Sequence, residues 1–576
     1  MQATYSDRYT LKVNQLEQAI NEVTNQPTYF KVFNYEAGFG KSREMIRIVE
    51  ESLSDLDSSN RYLIVKRFSR DVDEAAAYLD HHNNALKLDV VGLTKENWGS
   101  EWKNNPDKLV NVRVLIITHQ RYINLCLDDE LRECFTLNRN ILIIDEKVSF
   151  PTYSFSKKLY DEVRGYLDSS IQSELDKVCK KMNAKLEEYK LDKKENTCLR
   201  TRVRIHPNTL VNFMSLMEAN RNIPSLKTLS RVQRNNLETM IKGLPLWYSN
   251  NNIYNNGNIS TFDQRHHLWG LDNNIILDAS AGIDGAYNSK DIFTVVGQER
   301  LIDHSNSLFT IVDFNSSKSN LRLNEDDFYP EICKMIKERH STADKTLILC
   351  HKENAERIEL TLHRMEVNSI GVDDKYTNQE YAINWFGNLV GRNDYSDFTQ
   401  CWILGTPNIP YEQYLLKYMI YNNSDLGRKS LDLHSGRFKN NEFRSNQMGY
   451  IAAELYQSIK RIQRNEMPSG QFFLVNNDSE IVETVLGQIK GSGSREYLNL
   501  EFEEKRTSTK VVAPDRVERL IEYLKSLPSG KYQKNEIAKV LEFSGSNFSS
   551  LFKDSRFIAL DQTGCIKLFT RYILVR

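Results

Sequence analysis

The sequence of 576 residues lacks several features that would place it in common classes of protein. Its eight cysteines form no C-x-x-C pair, which disfavours a zinc or iron–sulfur site. No apolar run approaches the roughly 18 residues that a membrane-spanning helix needs. The formal net charge is only −1, so the total charge indicates no particular partner. The chemistry must therefore be inferred from local motifs.

The first residues of the chain also lack the apolar stretch and small-residue cleavage site of a secretory signal. We therefore expect a cytoplasmic protein that makes no contact with a membrane. The chain is also too long for a single hydrophobic core, because such cores stop growing at roughly 250–300 residues. The sequence thus predicts several domains.

A glycine-rich turn near the N-terminus lies between a predicted short buried strand, residues 29–34, and a predicted helix, residues 43–51. The turn contains Gly38, Phe39, Gly40, Lys41 and Ser42. Glycines let backbone N–H groups close around phosphate oxygens, the lysine can reach the β and γ phosphates, and the serine can hold Mg²⁺. The pattern predicts a P-loop that binds ATP with Mg²⁺, although Tyr35 replaces the first glycine of the strict motif.

A second motif of the same kind of site lies about a hundred residues further on. The apolar run 141–144, which follows Asn140, leads directly into Asp145 and Glu146, as in a Walker B or DExx motif. Asp145 is predicted to hold the magnesium ion, and Glu146 to orient and deprotonate the water that attacks the γ-phosphate. Together the two motifs predict an ATPase.

The segment 454–464 distinguishes this chain from other P-loop proteins. It resembles the Q-x-x-G-R-x-x-R motif in the second RecA-like domain of superfamily-two helicases, with Lys460 in the place of the glycine. The resemblance assigns catalytic roles to Gln457, Arg461 and Arg464, which helical spacing would align on one face. Arginines presented from a second domain stabilise charge on the γ-phosphoryl group. The alternative is a solvated basic face of a helix.

Weaker segments follow the order of the helicase motifs between these anchors. By resemblance, Arg67, Ser69 and His119 are predicted to contact nucleic acid, and Asp278, Ser280, Gly391 and Asn393 to couple the ATP site to that channel. The resemblance implies an α/β fold with two tandem RecA-like parallel-sheet domains. The first comprises residues 1–150 and about 271–310, and the second residues 311–489.

Three further regions lie outside this motor. Residues 151–270 predict an inserted, mainly helical domain with an Asn-Gly hairpin turn at 256–257. Residues 490–514 read as a linker. Residues 515–576 resemble a winged-helix domain with three short helices and a hairpin formed by 557–560 and 564–569. Ser546, Asn547 and Lys553 would line its recognition helix, and 11 Lys/Arg against 7 Asp/Glu favour DNA, with a protein-binding winged helix as the alternative.

The sequence thus predicts an ATP- and Mg²⁺-dependent DNA helicase or translocase of superfamily two, of the DEAD/DEAH-like type. The resemblance favours a phage, plasmid or other mobile element, and a role in DNA replication or maintenance with replication or defence proteins as partners. Three alternatives remain: an RNA helicase, the motor subunit of a restriction or anti-phage complex, and a switch ATPase that never translocates. Stimulation of ATP hydrolysis by DNA, RNA or neither distinguishes most of them.

Overall fold

Two seven-stranded parallel sheets form the centres of two lobes in the computed structural model. The structure describes residues 5–22, 24–55, 58–82, 89–191, 197–220, 224–339, 345–365, 369–371, 381–388, 394–505, 516–541, 551–552, 557 and 566–575. The chain divides into a large unit that holds both lobes and a small unit made mostly of residues 503–576. Within the described ranges, no helix is long and apolar enough to cross a membrane.

The strands of the first lobe are short apolar segments separated by helices. The described strands up to residue 296 are β1 (Phe30–Phe33), β2 (Tyr62–Lys66), β3 (Val90–Leu93), β4 (Val114–Thr118), β5 (Ile141–Asp145), β6 (Thr152–Ser156), β7 (Leu199–Thr201), β8 (Asn252–Asn255), β9 (Asn258–Phe262), β10 (Asn273–Leu277) and β11 (Phe293–Val296). The described helices of this part are α1 (Tyr5–Asn21), α2 (Lys41–Ser54), α3 (Ser69–His82), α4 (Lys95–Asn97), α5 (His119–Asn124), α6 (Asp129–Thr136), α7 (Lys157–Tyr166), α8 (Ser169–Leu191), α9 (Pro207–Ala219), α10 (Pro224–Lys227) and α11 (Arg231–Ser249).

The first sheet has the strand order β11-β1-β10-β5-β2-β4-β3, and all its pairs are parallel. Helices cover both faces of such a sheet, so its central strands are mostly apolar runs and do not alternate. In the centre, Ile143 of β5 pairs with Ile275 of β10 and with Ile64 of β2. Because the strands are parallel, the loops after β1, β5 and β10 meet at one edge, where ligands bind in open α/β sheets.

The inserted region forms its own hydrophobic cluster from helices α7, α8, α9 and α11 and an antiparallel sheet of order β6-β9-β8-β7. The predicted hairpin turn is confirmed, since β8 and β9 pair on either side of Asn256 and Gly257. Both turn residues have positive φ, 43° and 78°, as a two-residue turn of this type requires. The other two strands of this sheet were not predicted from the sequence.

The second lobe repeats the architecture of the first. Its described strands are β12 (Leu308–Val312), β13 (Thr346–Cys350), β14 (Ser369–Gly371), β15 (Tyr381–Trp385), β16 (Gln400–Ile403), β17 (Leu433–His434), β18 (Arg437–Phe438), β19 (Gln471–Val475) and β20 (Arg495–Leu498). Its described helices are α12 (Lys318–Leu323), α13 (Glu325–Arg339), α14 (Ala355–Arg364), α15 (Tyr411–Asn422), α16 (Asn441–Ile459) and α17 (Ser479–Leu486). The parallel sheet has the order β14-β15-β13-β16-β19-β12-β20.

The boundaries of this lobe differ from the predicted ones at both ends. Strand β12 begins at Leu308, before the predicted start at 311, and β20 lies within the stretch 490–514 that was predicted to be a linker. After β20, Leu498, Leu500 and Phe502 pack against the core of the lobe. The sequence hid this edge strand because it mixes polar and apolar residues and follows a Gly-Ser run typical of linkers.

The small unit contains α18 (Arg516–Ser526), β21 (Gly530–Gln533), α19 (Lys534–Val540), β22 (Ile566–Leu568) and β23 (Tyr572–Val575) among its described residues. The antiparallel sheet has the order β21-β23-β22. Among the described residues, the hairpin joins β22 to β23. Most of the predicted hairpin of 557–560 and 564–569 cannot be compared with it, because residues 558–565 lie outside the described residues, and Phe557 is helical. The apolar C-terminal strand β23, which lies between β21 and β22, was not predicted from the sequence.

Candidate nucleotide-binding site

The P-loop joins β1 to α2, and its two glycines adopt backbone conformations that other residues avoid. Gly38 has φ +94° and Gly40 has φ +86°. Gly40 caps the helix, so that Lys41 and Ser42 begin α2. A helix N-terminus presents free N–H groups and positive dipole character, which suit phosphate oxygens. The local geometry is that of a phosphate cradle.

Tyr35, which replaces the first glycine of the strict motif, is a packing residue. Its φ is not positive, so the backbone needs no glycine there. The ring is buried and stacks on Phe39 with centroids 4.8 Å apart, and its hydroxyl donates to the carbonyl of Lys12 at 2.8 Å. The aromatic pair supports the loop from behind, which explains why this departure from the motif leaves the cradle intact.

Asp145, at the end of β5, lies beside Ser42. The serine hydroxyl donates to Asp145 Oδ2 at 2.7 Å, while Oδ1 is buried and has no hydrogen-bond partner among the described residues. A hydroxyl and a carboxylate with a spare oxygen, next to a phosphate cradle, match the hard oxygen ligands of Mg²⁺, which keeps several waters and binds substrate phosphates. The donor set therefore fits the predicted metal.

Lys66, the last residue of β2, is a site residue that sequence reasoning missed. Its Nζ lies 2.7 Å from Asp145 Oδ2, and both side chains are buried. Burial by itself would raise the pKa of Asp145, but the charge and hydrogen bond of Lys66 outweigh burial and lower it. The signal in the sequence was a lysine that ends a buried apolar strand, since a buried charge needs a partner.

Glu146 has an unusual backbone conformation, with φ +72°. Such a conformation is strained for a residue other than glycine and is found at functional sites. Its backbone N–H donates to the carbonyl of Leu277 at 3.1 Å. The side-chain Oε2 is buried without a hydrogen-bond partner among the described residues, 3.7 Å from Arg67 Nη1. Burial and the charge of Asp145 raise the pKa of Glu146, as suits a general base.

The predicted coupling residues after β10 form a buried network. Asp278 accepts from the backbone N–H and hydroxyl of Ser280 at 2.9 and 2.7 Å, and from the hydroxyl of Tyr287 at 2.8 Å. Gln457 of the second lobe donates from Nε2 to Ser280 Oγ at 3.3 Å. Ser280 of the first lobe and Gln457 of the second are thus in direct contact.

The motif around Gln457 differs from the single helical face that its spacing predicted. Helix α16 ends at Ile459, so Arg461 and Arg464 lie in the turn beyond it. After the helix the chain turns toward the first lobe, where Lys460 meets Glu36. Gln463, in this turn, has φ +49°. Both arginines nevertheless line the same cleft as Gln457.

The cleft between the lobes has a volume of about 600 Å³. Its lining includes Gly38, Gly40, Lys41, Ser42, Lys66, Arg67, Asp145, Glu146, Asp278, Ser396, Gln457, Arg461 and Arg464. Burial and the neighbouring Arg464 lower the pKa of Arg461 to about 10, so it remains protonated at neutral pH. The two lobes therefore contribute phosphate-binding, acidic and cationic groups to one space.

Two of the residues predicted to contact nucleic acid lie in or beneath this cleft. Arg67 faces Glu146. His119 is buried, its Nε2 lies 3.0 Å from the carbonyl oxygen of Asp145, and burial lowers its pKa to about 4. These positions favour support of the ATP site over contact with nucleic acid. Ser69, the third, begins α3 and is half-buried.

Five other predicted site residues cannot be placed in the site. They are Gly391, Asn393, Ser546, Asn547 and Lys553, and all lie outside the described residues.

No protein-family model and no curated protein matches the sequence. The fold is similar to solved XPD structures. The structure named XPD_APO is 13% identical, with 84% of this chain and 100% of that chain covered and a TM-score of 0.55. S. tokodaii Xpd4 is 12% identical, with 85% and 100% covered and a TM-score of 0.52. XPD_Helicase is 13% identical, with 85% and 99% covered and a TM-score of 0.55. At these identities the likeness establishes the fold, and the predicted pair of RecA-like parallel-sheet domains is confirmed.

Proposed function

We propose that the chain is an ATP-dependent nucleic-acid helicase or translocase that acts on DNA. The observation that carries the proposal is the convergence in one cleft of a P-loop and DExx acids from the first lobe with two arginines from the second. A cleft divided in this way binds nucleotide between the lobes and makes hydrolysis depend on their relative position. The likeness of the fold to an XPD helicase supports the same function.

Each residue of the cleft has a defined task in this proposal. Mg²⁺, held by Ser42 and Asp145, would neutralise charge on the β and γ phosphates. Lys41 binds those phosphates, and Glu146 accepts the proton of the attacking water. Arg461 and Arg464 stabilise the charge that develops on the γ-phosphoryl oxygens. Hydrolysis then requires the second lobe to be in place.

Coupling to nucleic acid is assigned to the contact between Ser280 and Gln457. Ser280 is fixed by Asp278 of its own lobe, so a movement of the second lobe would break or form the bond from Gln457 without disturbing the rest. A polar contact that exists in only one arrangement of the lobes is a two-state element of the kind that coupling requires.

DNA is the proposed substrate because of the C-terminal unit. Its described residues follow the order helix, strand, helix and a final two-stranded hairpin. This order supports a winged-helix domain, as the sequence suggests, and the excess of basic residues there favours DNA. Because the sequence resembles helicases of mobile elements, the proposal includes a cytoplasmic role in a mobile element, with replication or defence proteins as partners.

The test is to measure ATP hydrolysis alone and with single-stranded DNA, duplex DNA or RNA. We expect DNA to stimulate turnover most, with a requirement for Mg²⁺. Stimulation by RNA alone would identify RNA, and not DNA, as the substrate. Equal turnover under all four conditions would contradict the motor and favour a switch ATPase.

A further inference from the structure

Lys460 occupies the position of a glycine in the motif that its segment resembles. The backbone does not require glycine there, because φ of Lys460 is −79°. Only 4% of the side chain is exposed. Lysine is almost never buried to this extent unless it is paired, because its charge loses hydration. The partners of this lysine therefore indicate what it does.

Two partners hold the ammonium group of Lys460. Its Nζ donates to Oε2 of Glu36 at 3.4 Å and to Nε2 of His304 at 3.0 Å. Glu36 belongs to the P-loop, and His304 to the segment that links β11 of the first lobe to β12 of the second. The other oxygen of Glu36 accepts from the backbone N–H groups of Leu301 and Ile302 at 2.6 and 2.9 Å.

The network has one consistent arrangement of protons. A lysine ammonium group only donates, so Nε2 of His304 must accept. The proton on Nδ1 is then donated to Ser307 Oγ at 3.3 Å, and that hydroxyl donates to the carbonyl of Pro468 at 2.9 Å. Burial and the charge of Lys460 lower the pKa of His304 to about 3, so the ring stays neutral. The histidine is thus held as an acceptor for the lysine.

The arginines of the cleft follow this anchor directly in the chain. Arg461 is the next residue, and Arg464 donates from Nε to the carbonyl of Lys460 at 3.1 Å. A Cβ atom placed on Gly38 of the P-loop would lie 3.9 Å from Cβ of Arg464, so this turn sits against the loop. The position of Lys460 therefore determines the positions of both arginines relative to the phosphate cradle.

We infer that Lys460 and Glu36 are positioning residues, which together set the two arginines against the P-loop for hydrolysis. The inference rests on the proposed ATPase function. It assigns a task to two residues that the motif resemblance leaves without one. The pair acts through the arginines and need not touch the nucleotide.

The alternative is that Lys460 and Glu36 only stabilise the fold. The two roles predict different results. Removal of one partner leaves an unpaired buried charge and destabilises a protein, whereas neutral replacement of both partners is often tolerated. If the pair only stabilised the fold, the double replacement would restore activity along with stability. If it positions the arginines, the double replacement would restore stability alone.

The experiment uses the full chain with the variants Lys460→Met, Glu36→Gln and the double variant. Thermal unfolding and the kcat and KM of Mg²⁺-ATP hydrolysis are measured for each and for the wild type. We expect each variant to lower kcat by about tenfold or more, which is less than the 10³–10⁵ expected for loss of an arginine finger. KM for ATP should change much less, since the arginines act in the transition state. Lys460→Arg, which keeps the charge, should recover part of the rate.

Two controls make the result decisive. Arg139→Met removes another buried cation, whose Nη2 donates to the carbonyl of Val112 at 2.8 Å at the end of the sheet opposite the cleft, and it should leave kcat near that of the wild type. In an Arg464→Ala background, Lys460→Met should reduce the rate little further, because both changes remove the same contribution. Recovery of kcat in the double variant, or full additivity with Arg464→Ala, would overturn the inference. A wild type that hydrolyses no ATP would instead refute the proposed function.

An independent observation concerns the charge of the inserted domain. Residues 151–270 contain 19 Lys/Arg against 12 Asp/Glu, although the whole chain has a net charge of −1. Several cations on its helices have a carboxylate partner; Lys157, for example, lies 2.8 Å from Asp161, and Lys242 lies 2.6 Å from Glu238. The excess positive charge must therefore come from other cations of the domain.

Three of these cations line a groove of about 540 Å³ between α8 and the segment after β7. Along residues 200–204 burial alternates, with Arg202 and Arg204 exposed and Val203 buried between them, as in an extended strand. Lys181 of α8 lies across from them. The structure gives Lys181, Arg202 and Arg204 no ion-pair partner within the residues that it describes. Lys185 and Glu188, which also line the groove, pair with each other at 2.7 Å.

We propose that this groove binds the phosphate backbone of the nucleic acid on which the motor acts. Unpaired exposed cations that line one groove complement a chain of phosphates, and each contact releases condensed counterions. The proposal deepens the nucleic-acid function and depends on it. It gives the inserted domain a share in holding the substrate.

The test measures nucleic-acid binding at several salt concentrations for the wild type and for Lys181→Ala/Arg202→Ala/Arg204→Ala. The slope of log K against log salt should flatten by about 0.7–0.9 for each phosphate that the variant no longer neutralises. ATP hydrolysis without nucleic acid should not change. Lys157→Ala/Lys158→Ala on α7 removes paired lysines of the same domain and should leave the slope as it was. Equal slopes for wild type and triple variant would overturn the groove, whereas a wild type that binds no nucleic acid would refute the proposed function.

Discussion

The nucleotide cleft and the groove of the inserted domain both depend on charged side chains, but the charges are held differently. Lys66 in the cleft and Lys460 next to it are buried, and each meets a carboxylate from a distant part of the chain. In the groove, Arg202 and Arg204 are exposed. Buried charges are weakly screened by salt and keep fixed positions, whereas exposed charges are screened and adapt. The first arrangement suits a transition state and the second suits a polymer of phosphates.

The largest expected effect comes from Arg464→Ala. The substitution should lower kcat by about 10³-fold or more and change ATP affinity little, because the arginine acts on charge that develops in the transition state. The ratio of wild-type to variant kcat should be the same at low and high salt, because the arginine lies inside the cleft, where salt screens charges weakly. The control is Arg444→Ala, since Arg444 is an exposed arginine on α16 that pairs with Glu480. An equal loss of binding and turnover would indicate a structural role.

Glu146→Gln comes next, with an expected loss of turnover of about 10²-fold or more and retention of ATP binding. The amide keeps the size of the side chain and loses the base. In the wild type, turnover should fall as the pH drops below the raised pKa of Glu146, because the base must be deprotonated. Turnover by the variant at the wild-type rate would exclude Glu146 as the base.

A smaller effect is expected for the free energy of unfolding, because an ionisable side chain is buried outside the cleft. Burial and the charge of Lys318 lower the pKa of His351 to about 4. Between about pH 6.5 and 4, the ring of His351 binds a proton in the unfolded chain and not in the folded protein. Stability is therefore lost as the pH falls from 6.5 toward 4. Between pH 7 and 5, the wild type should lose about 2 kcal/mol more than His351→Gln, as measured by urea unfolding. Equal losses would contradict burial of a neutral ring.

The smallest effect concerns the surface charges of the C-terminal unit. Truncation after Lys505 should weaken binding of duplex DNA about tenfold and flatten its salt dependence, since fewer phosphates are then neutralised. ATP hydrolysis with saturating single-stranded DNA should survive, because the residues assigned to the cleft precede that point. Truncation after Ile489 removes β20 as well and should lower the melting temperature. Unchanged affinity and salt slope after the shorter deletion would favour a protein-binding domain.

The sequence by itself determined the parts of this protein whose chemistry lies in a few consecutive residues. The P-loop needs two glycines, a lysine and a serine in one turn, and the DExx acids end one apolar strand. Each can be read along the chain because the strand, the turn and the helix that position the groups are neighbours in sequence. Two parallel-sheet domains followed from the order of these segments and from the resemblance to helicases.

The tertiary structure alone decided which charged groups meet. Lys66 reaches Asp145 and Lys460 reaches Glu36 because the strands of one sheet end at a common edge and the two lobes close on each other. Residues 79 and 424 positions apart leave no periodic pattern that would pair them. For the same reason His119, which was predicted to contact nucleic acid, is buried beside the backbone carbonyl of Asp145. Where a side chain points depends on the packing around it, and a local motif does not contain that information.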